Sequence, residues 1–184
     1  MNNDKIVEHA IQFLGGSSAR FFAMDPQVTE ILLSWDGYCE KTNVVSTIGL
    51  SNTKQIQLKL DSGEEVPVEL LLGSEKDVSW TKDVLFKAIR ELSGQTVEYN
   101  QTVHFLLLRK LLPHLDRLLL MNPGFFYSEY KPIQEGPTCA HWVCLVPISL
   151  NELTFIITNG MEEFIRKAKE NQINLMNSTR ESFL

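Results

Sequence analysis

Between Gln55 and Leu70 the chain alternates apolar and polar residues on either side of a turn, a pattern few architectures accommodate. Gln55-Ile-Gln-Leu-Lys-Leu60 places Ile56, Leu58 and Leu60 on one face. Asp61-Ser-Gly-Glu-Glu65 has turn chemistry, and Val66, Val68 and Leu70 resume the period of two. That combination predicts a β-hairpin. Pro67 has no N–H to give a ladder, so this strand belongs at an edge or with that position facing out.

The surrounding pattern supplies both helices and strands. Ile6, Val7, Ala10, Ile11 and Leu14 recur at helical spacing and predict a helix over residues 3–14, stopped by Gly15-Gly16. A polar stretch with Pro26 precedes a strand at 28–35, and Val44 to Ile48 is β-branched apart from one serine. Trp80, Val84, Leu85, Ala88 and Leu92 line one side of a helix predicted from Ser74 to Gly94, with Gly94 as its stop. Residues 103–121 read as two strands, 103–108 and 115–121, split by Pro113, or as one buried helix; periodicity does not separate the two. After a loop at 122–138, His141 to Val146 is a buried strand.

Ser149-Leu-Asn-Glu152 is a capping box, with Ile148 and Leu153 in the staple positions. It predicts a helix from residue 150 to about Thr158, interrupted at Gly160. A second piece follows with Phe164, Ile165 and Ala168 inward, and with Glu162/Arg166 and Glu163/Lys167 paired outside. The order of helix, strands, helix, strands and helices favours one α+β domain over residues 1–184, a mixed, largely antiparallel sheet packed by helices. A length of 184 residues suits a single domain.

The chain carries 17 basic and 23 acidic residues, a net charge of −6, which argues against a nucleic-acid binder and permits a basic protein partner. Three cysteines do not make a secreted disulfide framework. Asp4 and Glu8 spoil a signal peptide, and Arg109, Lys110, Asp116 and Arg117 cut the most apolar stretch, so the expected location is the cytoplasm, with no membrane span.

Catalytic signatures are lacking. Gly15-Gly16-Ser-Ser18 follows a helix instead of opening one, so it makes no phosphate cradle. Cys139, His141 and Cys144 form the one cluster that suggests a metalloenzyme, with His104 and His114 as distant completions. On a regular strand His141 and Cys144 point to opposite faces. No catalytic, cofactor or metal residue is therefore assigned.

Two features suggest partner binding. Asp61, Glu64, Glu65, Glu69, Glu75 and Asp77 surround a single Lys76 and make an acidic edge at the hairpin. Phe125, Tyr127 and Tyr130 lie in a Pro/Gly loop. Exposed, they anchor an interface; buried, they cap the core, as loops that pack their own side chains do. The candidate contact residues are Asp61, Glu64, Glu65, Glu69, Phe125 and Tyr127.

Several segments together resemble the suppressor-of-fused domain family, within it the short bacterial members regarded as antitoxins or immunity proteins. They are Ser46-Thr-Ile-Gly-Leu-Ser51, Pro67-Val-Glu-Leu70 and the stretch from Leu118 to Phe126, followed by Trp142-Val-Cys-Leu-Val-Pro-Ile-Ser149 with Glu152, and Ile173-Asn-Leu-Met-Asn-Ser-Thr-Arg180-Glu-Ser182. The capping box coincides with the family's P-I-S-x-x-E element. The resemblance implies one α+β domain, no catalysis and no cofactor. It also implies direct binding of another protein, in bacterial members a co-expressed toxin, often a nuclease with a basic active-site surface. A regulatory module with a non-toxin partner, and an enzyme built on Cys139, His141 and Cys144, are the alternatives. The animal protein's transcription-factor binding is not expected in a chain this short.

Overall fold

The computed structural model describes residues 1–14, 19–22, 30–34, 43–74, 80–112, 114–126 and 129–184. Its centre is the expected hairpin. Strand β4 (Ile56–Lys59) runs antiparallel to β5 (Glu65–Ser74), with Gln57 opposite Pro67. β5 then continues between two further partners. β3 (Asn43–Ile48) lies antiparallel on the side of β4, and β10 (Thr138–Ile148) lies parallel on the other, with His141 opposite Val68. The Leu70 N–H donates to Thr47 Oγ1, toward β3. Alternation therefore aims the Pro67 nitrogen at the β10 side, where pairing begins only at Val68.

The main sheet runs β1 (Ala19–Phe22), β2 (Glu30–Ser34), β3, β5, β10, β8 (Arg117–Met121), β7 (Thr102–Val103). Two short strands join outside this path: β6 (Gln95–Val97) pairs β4, and β9 (Ile133–Glu135) pairs β10. Among the described pairings only β5·β10 and β4·β6 are parallel, so the sheet is mixed and largely antiparallel.

Helices cover both faces. On one face, Val66, Val68, Leu70 and Leu72 of β5, with Val143 and Leu145 of β10, meet Val84, Leu85, Ala88 and Leu92 of α3 (Thr81–Leu92). On the other, Trp142, Cys144, Val146 and Ile148 pack with Ile6 and Ala10 of α1 (Asn3–Leu14), and with Phe164 and Ala168 of the C-terminal helices. A strand buried on both sides explains why β10 reads as an unbroken apolar run. Each fully buried valine, leucine, isoleucine or phenylalanine among them contributes roughly 1.5–3 kcal/mol.

The stretch at 103–121 contains both structures the sequence left open. Phe105, Leu108 and Leu112 are buried around α4 (Leu106–Leu111), at spacings of three and four. Leu118 and Leu120 face one core from β8, while Leu119 and Met121 face the other. The expected strand at 103–108 keeps only Val103 in a strand, and its second half, 106–108, is the start of α4. Strands β1, β6 and β9 have no counterpart in the expected order; the helix expected from Ser74 begins at Thr81, Ser74 itself ending β5, and β10 begins at Thr138, three residues before the expected start.

The capping box is formed. Ser149 Oγ accepts from the Glu152 N–H at 3.1 Å, and Glu152 Oε2 accepts from the Ser149 N–H at 3.0 Å. It opens α5 (Leu150–Asn159), and Gly160 at φ 90 separates this from α6 (Met161–Glu170). Phe164, Ile165 and Ala168 point inward as expected. The outer pairing differs: Arg166 bonds Glu163 and Glu170, three and four residues away, instead of Glu162.

After α6 the last fourteen residues cross the sheet. Gly73 lies beneath Met176, where a Cβ would abut the Met176 carbonyl oxygen. Gly73→Ala should cost about 2–3 kcal/mol through this overpacking, read as a lower denaturation midpoint with an unchanged m-value.

Candidate functional site

The acidic edge begins at the β4–β5 turn, closed by Leu60 N–H to the Glu64 carbonyl at 2.8 Å. Asp61, Glu64 and Glu65 are exposed, and among the described residues no cation forms an ion pair with them. The nearest cation on the hairpin, Lys59, is held by Glu98 at 3.2 Å. Three carboxylates are thus displayed on a hydrogen-bonded turn. Glu75 and Asp77 lie outside the described residues.

Glu69 does not belong to this edge. It is 0% exposed, at the corner where the chain turns from β3 into β4 through α2 (Leu50–Thr53). Its carboxylate accepts from Thr47 Oγ1 (2.6 Å), Ser51 Oγ (2.7 Å) and the N–H groups of Gly49 (3.0 Å), Leu50 (3.3 Å) and Ser51 (3.0 Å). Burial pushes this carboxyl up, and the Thr47 and Ser51 hydroxyls with the Ser51 and Gly49 amides draw it back. Glu69 occupies the gap between two strands and satisfies the opening amides of α2, a structural task. Period two does take it off the Val68 face, but onto a second covered face instead of into water.

The aromatic loop divides. Phe125, in a 3-10 turn (Pro123–Phe125), is 46% exposed, whereas Phe126 and Tyr130 pack against the core. Tyr127 lies outside the described residues. Phe125 stands at the lip of an apolar groove of about 340 Å³ between the 3-10 turn and the C-terminal end of α6. Strand register places this turn and the acidic hairpin at the same end of the sheet, on either side of β10: Met121 is opposite Cys144, and Val68 opposite His141.

Cys139, His141 and Cys144 do not converge. Cys144 is buried in the core beneath α1 and α6, and alternation sends His141 to the opposite face. Burial pushes the Cys144 thiol up, away from the thiolate that metal binding or nucleophilic attack needs. Among the described residues no three His, Cys, Asp or Glu side chains gather as a metal site requires.

Sequence reasoning also missed the anchoring of Trp142. Beyond the end of β8, Tyr130 Oη accepts from the Trp142 N–H (3.1 Å) and the Tyr99 hydroxyl donates to the Trp142 carbonyl (3.2 Å), replacing a ladder. The indole N–H donates to His9 Nδ1 at 3.0 Å, tying α1 to the sheet. Burial lowers the pKa of His9 and of His141 from the ordinary 6.5. A lowered histidine pKa means the unfolded chain binds the proton first, so this stabilisation is present above about pH 6.5 and is lost as pH falls through the folded values. His9→Gln keeps an acceptor for the indole. It should flatten the loss of stability as pH falls below about 6.5, measured by urea denaturation.

The class is therefore a mixed α+β domain whose sheet is sealed on both faces, with an acidic turn and an apolar groove at one end. The suppressor of fused protein family matches residues 29–181, and the chain belongs to that family. The crystal structure of a suppressor-of-fused homolog from Neisseria gonorrhoeae superposes with a TM-score of 0.65 at 14% identity, covering 99% of this chain and 96% of the other. A chain of the Sufu–Fu complex gives 0.64 at 12% identity, covering 91% and 83%. At these identities the likeness is one of fold. No curated protein matches the sequence. No helix among the described residues is long and apolar enough to cross a membrane.

Proposed function

We propose that this chain is a non-catalytic binding domain of the cytoplasm that neutralises a cognate toxin by holding its basic active-site surface. The observation that carries the reading is the set of exposed carboxylates Asp61, Glu64 and Glu65, without an ion-pair partner among the described residues, on a hydrogen-bonded turn in a chain of net charge −6. Such a display attracts a cationic surface and accelerates encounter. The capture of another protein by a chain of this fold, in the Sufu–Fu complex, supports protein binding and equally suits a regulatory module whose partner is not a toxin.

The test is co-expression and co-purification with the product of the adjacent gene. Relief of that product's toxicity and a stable complex are expected; a toxic neighbour that is neither bound nor relieved would sink the toxin reading. A native partner that is harmless to the cell would select the regulatory one. Reversing two charges, Glu64→Lys with Glu65→Lys, should slow association about tenfold at low salt. The same variant should weaken the salt dependence and leave the melting temperature unchanged, since neither carboxylate is paired. An unchanged on-rate would move the contact elsewhere.

A further inference from the structure

The groove beside Phe125 has a polarity opposite to that of the rest of the molecule. Its walls are Phe125 and Phe126 of the 3-10 turn, Ile165 and Ala168 of α6, and Ile173 and Leu175 after it. Among its described lining residues the single charge is Lys169, and none is a carboxylate. Lys169 forms no ion pair among the described residues, in contrast to Arg166 one turn earlier, which is held by Glu163 and Glu170. Lys169 thus places an exposed cation, without an acidic partner among the described residues, at the apolar cleft.

The geometry that opens the groove is specified locally. The Gln172 N–H donates to the Lys169 carbonyl (3.0 Å), and the Ile173 N–H reaches back to the Ala168 carbonyl (2.8 Å). These are the two bonds of a Schellman stop, which brings Ile173 against Ala168 as part of the apolar wall. The residue in the left-handed position, normally glycine, is Gln172 at φ 56. The fold thus accepts backbone strain and keeps an amide side chain at the rim of the cleft, the kind of cost that clusters where ligands are held.

Resting on the reading that this chain binds a protein, we propose that the groove receives one bulky apolar side chain of the partner flanked by an aspartate or glutamate. The apolar side chain fills the space between Phe125 and α6. The neighbouring carboxylate meets Lys169, with the Gln172 amide as a second donor. The same cation repels a lysine or arginine at that position. The partner is thereby bound at two poles of opposite sign, its basic face at the hairpin and an apolar-acidic segment in the groove.

The test is an NMR titration of the isotope-labelled full chain with three blocked peptides: Gly-Gly-Phe-Glu-Gly, Gly-Gly-Phe-Lys-Gly and Gly-Gly-Ala-Glu-Gly. Saturable shifts confined to the amides of residues 121–126 and 165–175 are expected for the first peptide. Its binding should be about threefold tighter than that of the lysine peptide, the size of an exposed ion pair. Lys169→Glu, on an exposed side chain, should reverse this preference. Phe125→Ala should weaken both phenylalanine peptides. Absence of saturable shifts, shifts at the hairpin, or equal binding of the Glu and Lys peptides would overturn the proposal. Because no native partner enters this experiment, that result would leave the toxin-binding reading standing; failed neutralisation with normal peptide binding would do the converse.

Discussion

Replacing Glu152 with alanine is expected to destabilise the protein by about 3–5 kcal/mol, the cost of breaking a buried ion pair from one side. Glu152 is 0% exposed and serves three groups. It completes the capping box with Ser149, accepts from both terminal nitrogens of Arg180 at 2.6 and 3.0 Å, and accepts from the Phe183 N–H at 3.2 Å. The second Arg180 nitrogen also donates to the Pro147 carbonyl at 2.9 Å, at the end of β10. Removing the carboxylate leaves a guanidinium enclosed without its counter-charge. The C-terminal segment should then lose protection in amide hydrogen exchange before the sheet does. Removing both partners, as in Glu152→Ala with Arg180→Met, should recover a large part of the loss, because the penalty lies in the orphaned charge. If the double variant is as unstable as the single, the pairing is not the source.

Glu69→Ala should cost about 3 kcal/mol or more, since it strands two hydroxyls and three amides that share one carboxylate. Glu69→Gln should cost less than alanine but still destabilise, because its NH₂ group donates where only acceptors fit. Thermal unfolding of the three proteins orders them. Alanine no worse than glutamine would show that water replaces the carboxylate. Neither change alters the surface near Glu64 and Glu65, so the partner's association rate should follow the folded fraction alone.

These two acids illustrate where sequence reasoning succeeds and stops. Ser149 and Glu152 sit three residues apart, and the box they form was legible because both of its hydrogen bonds lie within one helical turn. Arg180 was not, since it lies 28 residues further on and nothing local directs it back. Two of the segments that resemble the suppressor-of-fused family, one ending at Glu152 and one containing Arg180, turn out to be partners in space. Glu69 failed differently. Its neighbours in sequence include Glu64 and Glu65, which do reach solvent, and alternation distinguishes the two faces of a strand but not whether the second is wet.

The groove was the least visible feature. Phe125 stood out as an aromatic in a Pro/Gly loop, yet the opposing wall comes from Ile165 to Leu175, some forty residues later. Tyr99, Tyr130 and His9 likewise converge on Trp142 from three separate segments.

What the chain declared by itself was everything within reach of a few residues: the alternation and turn of the hairpin, the helical spacing of α1, α3 and α6, the capping box and the break at Gly160. These signals are local because hydrogen-bonded turns and side-chain periodicities close over two to seven positions. Tertiary structure alone decided which carboxylates face water, which leucines of the 103–121 run form a helix, and where apolar walls leave an opening. Those outcomes depend on desolvation, which is set by whatever distant segment arrives to cover a face.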